Sequence, residues 1–313
     1  MKQYDVIVVG TGGANIVVDA AQRKGLRIAQ IEKGKFGGTC LTRGCIPTKV
    51  MVTAANAVRE VEDFKKIGIQ VGPATIDWDV MSKRVWHMID EHKDIYKYYN
   101  AFDNVDVYRG VATFLEDKVM QVALNDGTVS EPITAPIIVL GTGGYSKIND
   151  IPGLEEAGYL SSESLFGDKY PEKPFKSLAI MGGGPIGTEF GHVFATAGTD
   201  VHLIQHNIRL LPKEDAEISA HIYENLTHQG LHVYLNQEPE EVRVENGEKV
   251  VVIRDRATGE VQEIRAEEIL MASGIKPAVE ELHLERTNIE QKRGGWIRTN
   301  EFLETSVEGV YAM

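Results

Sequence analysis

The chain has 313 residues, with 33 basic and 46 acidic side chains and a formal charge of −13 when histidines are neutral. That length accommodates two cores, since domains usually run to about 100–200 residues. The acidic balance argues against nucleic acid as a partner, because phosphate binding needs clustered Lys and Arg. The longest apolar runs are strand-length, as in Val6 to Val9, so no membrane span is expected. The N-terminus runs straight into such a strand rather than through a leader, and a cytoplasmic address is the expectation.

In chain order, Tyr4 to Gly10 reads as a buried parallel strand stopped by glycines. Asn15 to Lys24 carries a helical pattern and Leu26 to Glu32 a second strand, which completes a strand–glycine turn–helix–strand unit. A loop holding both cysteines follows. Val50 to Phe64 and Trp78 to Phe102 read as helices. Val105 to Val129 reads as antiparallel strands with a turn at Asn125-Asp126-Gly127, and Ile137 to Gly141 as another buried strand. Lys169 to Lys176, with Pro171 and Pro174 among charges, reads as part of a linker. The opening pattern then repeats. Ser177 to Met181 is a strand, Gly182 to Gly187 a glycine turn, Thr188 to Ala197 a helix and Asp200 to Gln205 a strand. Gly230 to Ile269 reads as a helix-to-strand return with a hairpin at Ala257-Thr258-Gly259. The expected fold is α/β, with two tandem Rossmann-like domains, each carrying an antiparallel excursion.

The first glycine turn is Gly10-Thr11-Gly12-Gly13-Ala14-Asn15. It fits the first two positions of the dinucleotide fingerprint G-x-G-x-x-G. Gly10 allows the tight turn, and Gly12 lets the backbone approach a pyrophosphate at the helix N-terminus. Asn15 replaces the third glycine. Glu32 ends the second strand, 22 residues beyond Gly10, where a carboxylate can bond an adenosine ribose. A glycine turn with no ligand is the alternative, and the flanking strands and Glu32 favour nucleotide binding. The second turn, Gly182-Gly183-Gly184-Pro185-Ile186-Gly187, matches the fingerprint completely. Its acidic position is filled by Gln205, followed by His206, Asn207 and Arg209. A carboxylate there would bond the 2′-hydroxyl of NAD and repel a 2′-phosphate. Its loss opens the site to NADPH, unless His206 and Arg209 are merely solvated loop residues.

The chain contains two cysteines, Cys40 and Cys45. Spacing alone leaves two readings open, a redox pair or two unrelated thiols. In a continuous helix their Cα atoms would stand about 8–9 Å apart. That exceeds the roughly 7 Å limit for a disulfide. A pair that bonds therefore needs a bend, and Gly44 provides the freedom for one.

Positions 37 to 49 read GGTCLTRGCIPTK and resemble the redox-active signature of the pyridine nucleotide–disulfide oxidoreductases, the family of dihydrolipoamide dehydrogenase, glutathione reductase and mercuric reductase. Further segments carry the resemblance along nearly the whole chain. Gly182 to Gly191 resembles the opening of the family's NAD domain. Leu140 to Gly143 and Ala272 to Pro277 resemble its two A-T-G-type segments, with Gly141 for Ala and Ser273 for Thr. Thr305 to Met313 resembles the lead-in to a second FAD motif.

The resemblance implies an FAD- and NAD(P)H-dependent enzyme in which Cys45 is the flavin-side sulfur and Cys40 the exchange sulfur. Lys49 would lie near flavin N5, paired with Glu189, with a plain surface ion pair as the alternative. Gly10, Gly12, Gly13, Asn15, Glu32, Gly38, Thr39, Lys49, Thr142 and Gly143 would contact FAD. Gly182, Gly184, Ile186, Gly187, Glu189, Gln205, His206, Arg209 and Gly274 would serve the second nucleotide. The implied domains are 1–150 for FAD, 151–275 for NAD(P), and 276–313 as a return to the first. In the family an interface domain lies beyond the position of Met313, bearing a His–Glu acid–base pair and making a homodimer. No histidine here matches that motif, and His192 reads as packing or surface. The expected substrate is a small dithiol or disulfide, dihydrolipoamide-like by Leu210-Leu211-Pro212 with Glu214-Asp215. The alternatives are another small disulfide, a metal ion, or a nucleotide-binding module without disulfide turnover. No resident metal is expected.

Overall fold

A computed structural model describes residues 1–313, which divide into two compact units. The first comprises Met1–Thr42, Ile89–Tyr145 and Lys276–Met313, and the second Arg43–Met88 and Ser146–Ile275.

In the first unit, an eight-stranded sheet runs in the order Lys2–Gln3, Ile133–Thr134, Val119–Leu124, Val105–Glu116, Ile28–Glu32, Val6–Val9, Ile137–Leu140, Val310–Ala312. Its centre is parallel. Every residue of Val6–Val9 is buried, as a parallel strand covered on both faces requires. Val105–Glu116 serves two roles. It starts parallel to Ile28–Glu32, and from Gly110 onward it pairs antiparallel with Val119–Leu124. The changeover falls on a glycine whose Cβ would lie 2.2 Å from the Ala123 carbonyl oxygen. The long hairpin turns at Asp117-Lys118, with Lys118 at φ 61°, a turn the sequence pattern did not mark, and the expected turn at Asn125-Asp126-Gly127 is present as well. That Asn-Asp-Gly turn closes a smaller return ending at the Ala123–Val129 bridge. The C-terminal residues complete this unit: Val279, Leu282, Leu284, Ile289 and Val310 share a core with Phe114, Met120 and Ile133.

The second unit holds a four-stranded parallel sheet in the order His232–Tyr234, Asp200–Ile204, Ser177–Met181, Glu268–Met271. A three-stranded antiparallel sheet, Gln237–Glu245, Glu248–Asp255 and Val261–Ala266, supplies Val242, Val251, Ile253 and Ile264 to a core with Ala179, Met181 and Ile204. Two of its turns matter to the reading of the sequence, one at the expected Ala257–Gly259 and one at Asn246-Gly247.

The helix Cys45–Asp63 belongs to this unit because it lies along the helix Pro185–Thr196. Lys49 pairs with Glu189, Asn56 bonds His192, and Arg59 Nε donates to Thr196 Oγ1 at 3.1 Å. The stretch 169–176 is not a domain linker either. Tyr170 stacks on Trp78, meets Trp86 edge-on, and bonds Ser82, while Trp78 Nε1 donates to the Pro171 carbonyl. The expected helix Trp78 to Phe102 is two helices, Trp78–Asp90 and His92–Asn100, and no residue type at Glu91 accounts for the break.

Candidate nucleotide and thiol sites

The first glycine turn is built by close backbone contact. Gly10 has φ +94°, and a Cβ there would lie 2.1 Å from the Gly141 carbonyl oxygen. Gly38, at φ +65°, stacks on Gly12, where its Cβ would come within 2.5 Å of the Gly12 Cα. The close approach therefore requires glycine at position 38, whereas a Cβ on Gly12 would stand 3.6 Å from the Gly38 Cα, an ordinary contact. A Cβ on Gly141 would stand 2.5 Å from the Ala14 methyl, which explains why glycine replaces alanine in this A-T-G-type segment.

Asn15, in the third-glycine position, ties the turn to the sheet. Its Nδ2 donates to Thr11 O at 2.8 Å and its Oδ1 accepts from Gln30 Nε2 at 2.9 Å. Both ends of the amide therefore hold protein groups. Glu32 accepts from Thr11 N at 3.1 Å and Thr11 Oγ1 at 2.7 Å through Oε2, and from Gly34 N at 2.8 Å through Oε1. A carboxylate offers about four acceptor directions, so one remains for a ribose hydroxyl. Buried Thr11, which also accepts from Gly37 N at 3.1 Å, is a residue the fingerprint does not single out.

The dinucleotide group fits this cradle. The Gly12 and Gly13 N–H groups bond no protein atom, and they precede the helix Asn15–Arg23, whose N-terminus favours an anion. Gly143, at φ +65°, has open space on its Cβ side. Thr142 beside it is half-buried, and Thr39 is exposed.

The second turn sorts its glycines more sharply. Gly182 has φ +123° and faces the Ala272 carbonyl oxygen, 2.3 Å from where a Cβ would be. A Cβ on Gly187 would lie 1.9 Å from Gly182 O, whereas one on Gly184 would meet nothing within 4 Å. Gly184 caps the helix Pro185–Thr196, with Pro185 at its first position and Ile186 following. The first-turn N–H groups and the open side of Gly184 suit a pyrophosphate. Gly274, at φ +118°, is likewise unobstructed.

Gln205 is buried, and its Oε1 accepts from Gly183 N at 3.1 Å while Nε2 donates to Arg209 O at 3.0 Å. His206 Nδ1 lies 2.7 Å from Glu238, and Arg256 donates to His206 O at 3.3 Å. Arg209 donates to the Pro212 carbonyl at 2.9 Å. The sequence reading missed Glu238 and Arg256, which the three-stranded sheet brings beside this loop.

Cys40 lies in the short helix Gly38–Thr42, and Cys45 is the first residue of Cys45–Asp63. The helical path is broken at Arg43-Gly44, with Gly44 at φ −142° and ψ −115°, as a bend between the cysteines demands. Both are exposed thiols, not a disulfide. One turn after Cys45, the Lys49 ammonium is paired with Glu189, a partly exposed contact worth at most about 1 kcal/mol to stability. His192 is held between Gln229 Oε1 at 2.8 Å and Asn56 Oδ1 at 2.9 Å, a packing role.

Two glycine-cradled turns of the dinucleotide-binding type in one chain, with two thiols in the loop after the first, are the features of a class of nucleotide-dependent redox proteins. The chain belongs to the pyridine nucleotide-disulphide oxidoreductase family, whose sequence pattern matches residues 4–313. It is 33% identical over 312 residues to a mercuric reductase of Staphylococcus aureus, covering 99% of this chain and 55% of that protein. It is 31% identical over 317 residues to a dihydrolipoyl dehydrogenase of Chlorobaculum parvum, covering 99% and 65%. Among solved structures, the Cu(II) complex of the HOCl-induced flavoprotein disulfide reductase RclA from Escherichia coli superposes with a TM-score of 0.86 at 26% identity, covering 100% of this chain and 66% of that one. The chain spans about half the length of the mercuric reductases it matches. The family is one of enzymes, and its cofactors are FAD and NAD(P)H. No helix is long and apolar enough to cross a membrane.

Proposed function

We propose that this chain passes electrons from NAD(P)H, through FAD, to the Cys40/Cys45 pair, and from there to a small oxidised acceptor. The observation that carries the reading is the Lys49–Glu189 pair, which joins the helix opening at Cys45 to the helix opening from the second glycine turn. FAD, when bound, supplies the step between hydride chemistry and thiol chemistry. The protein's own groups do the rest. Gly12, Gly13, Gly38 and Glu32 hold the first dinucleotide, with Thr142 and Gly143 beside it. Gly182, Gly184, Gly187 and Gly274 admit the second. Lys49 holds positive charge where negative charge accumulates, and Glu189 fixes that ammonium. Cys40 exchanges with the acceptor and Cys45 returns the electrons.

The acceptor we favour is a dithiol–disulfide couple of the dihydrolipoamide type. A second reading, a soft metal ion as acceptor, is supported by the 33% identity to a mercuric reductase and by two exposed thiols. With the protein first oxidised and FAD supplied in excess, NADH and NADPH should bleach the flavin, and two thiols should then be titratable that were not before. Acceptor-dependent oxidation of NAD(P)H with lipoamide, and separately with Hg(II), distinguishes the two substrates. Absence of flavin bleaching by either nucleotide would overturn the proposal.

A further inference from the structure

In the parallel sheet of the second unit, Asp200–Ile204 and His232–Tyr234 are neighbours with His202 opposite His232. In-register parallel pairing sets the two imidazoles side by side, with centroids 4.8 Å apart and planes at 16°. The two-residue period of a strand puts Asp200 on the same face as His202, and Tyr234 on the same face as His232. Asp200 Oδ2 stands 3.4 Å from His202 Nε2, and Oδ1 stands 3.2 Å from His232 Nε2. The three potential ligand atoms all lie within 4.8 Å of one another. Tyr234 OH is 3.2 Å from His202 Nδ1, which fixes that ring with Nε2 turned to the carboxylate. Asp200 opens its strand, whereas Gly182 follows the far end of the neighbouring strand Ser177–Met181, so this cluster is separate from the glycine turn.

We propose that Asp200, His202 and His232 form a binding site for a borderline divalent transition-metal ion of the Zn²⁺ type. The spacing supports a shared cation over a shared proton. Charge-assisted N–H···O bonds run about 2.7–2.9 Å, and both contacts are longer than that. Ligands at about 2.0–2.2 Å around a tetrahedral zinc stand roughly 3.3–3.6 Å apart, and each imidazole nitrogen stands at about that separation from its nearer carboxylate oxygen. Two imidazoles and one carboxylate exclude the oxygen-only preference of Ca²⁺ and Mg²⁺, while a soft ion such as Hg²⁺ would go to thiolates instead. Three protein ligands leave the fourth position for water.

The test must separate this site from the cysteines. Zn²⁺ is added to the whole protein carrying Cys40→Ser and Cys45→Ser, and bound metal is counted after gel filtration and by calorimetric titration. One ion per chain is expected. Adding His232→Gln, at a half-exposed side chain, should abolish that binding, and Tyr234→Phe should weaken it about 10–100-fold, as loss of a supporting hydrogen bond does. Circular dichroism verifies folding, and Asp200→Asn serves as a second ligand variant should His232→Gln misfold. No Zn²⁺ on the cysteine-free protein, or equal binding after a ligand is removed, overturns the proposal.

Discussion

The second glycine turn separates residues needed by the fold from a residue needed by the ligand, and alanine substitutions should separate them in solution. Gly187 is buried, and its added methyl would lie 1.9 Å from the backbone oxygen of Gly182, an atom that no rotamer change can move. Overpacking typically costs about 1–3 kcal/mol, and a rigid backbone partner puts this case at the upper end. Removing a glycine from a helix interior returns about 1 kcal/mol. The net expectation for Gly187→Ala is a loss of about 2 kcal/mol or more. At Gly191 the clash is 2.9 Å from Leu231 Cδ2, the far end of a flexible side chain, so strain and propensity should nearly cancel. At Gly184 the methyl meets nothing, and a helix cap changed from glycine to alanine costs only about 0.5 kcal/mol. Yet Gly184 is where the fingerprint brings the backbone to the pyrophosphate. Gly184→Ala should therefore weaken NAD(P)H binding at least about tenfold, or 1.4 kcal/mol.

Of the three tryptophans, Trp78 and Trp86 lie in the second unit and Trp296 in the first. In a Trp296→Phe background, urea unfolding followed by fluorescence thus reports the second unit, and nucleotide titration reads affinity. Coincident unfolding midpoints for Gly187→Ala and Gly184→Ala would refute the steric argument. Unchanged affinity in Gly184→Ala would refute the assignment of the cradle.

Mild oxidation should remove two titratable thiols without forming a dimer, and dithiothreitol should restore them; an unchanged count would end the redox assignment of Cys40 and Cys45. With a neutral Gln205, selectivity for NADH over NADPH should stay below about tenfold, and Gln205→Glu should shift preference toward NADH. A strong native NADH preference indifferent to that change would mean the ribose lies elsewhere. Lys49→Met should alter stability by less than about 1 kcal/mol, because the Glu189 pair is partly exposed, while slowing reduction of added FAD by NAD(P)H. A large stability loss with an unchanged rate would make the pair structural.

The strands and glycine turns were legible because a short apolar run followed by Gly-x-Gly has few other uses. What the sequence could not show is what later elements bring alongside. Proximity in the chain groups Arg43–Met88 with the first domain, but Lys49, Asn56 and Arg59 find their partners at Glu189, His192 and Thr196, and no periodicity announces contacts that distant. The two aromatic anchors at Trp78 and Trp86 turned the stretch around Tyr170 from an expected linker into packed structure. Asp200 and His202 are visible as a pair two residues apart, but His232 joins them only through parallel register.

The acid-to-amide change at Gln205 shows how structure sharpens a sequence signal. Glu32 and Gln205 make the same bond, each accepting at 3.1 Å from the N–H of the residue after the first glycine of its turn. A neutral amide therefore holds the turn as well as a carboxylate does, and the fold places no demand on the charge. Their second contacts differ. Glu32 accepts again, from Gly34 N, whereas Gln205 donates, to Arg209 O, and so draws a loop bearing His206 and Arg209 against the turn. A carboxylate at this position could not make that donation. The neutral residue thus removes a negative charge from the expected ribose position and fixes a loop whose nearby cations are Arg209 and Arg256, opposed by Glu238 beside His206. Whether a 2′-phosphate gains from the site then depends on those three side chains more than on the fingerprint itself, which makes Glu238→Gln, expected to favour NADPH, the natural companion to Gln205→Glu.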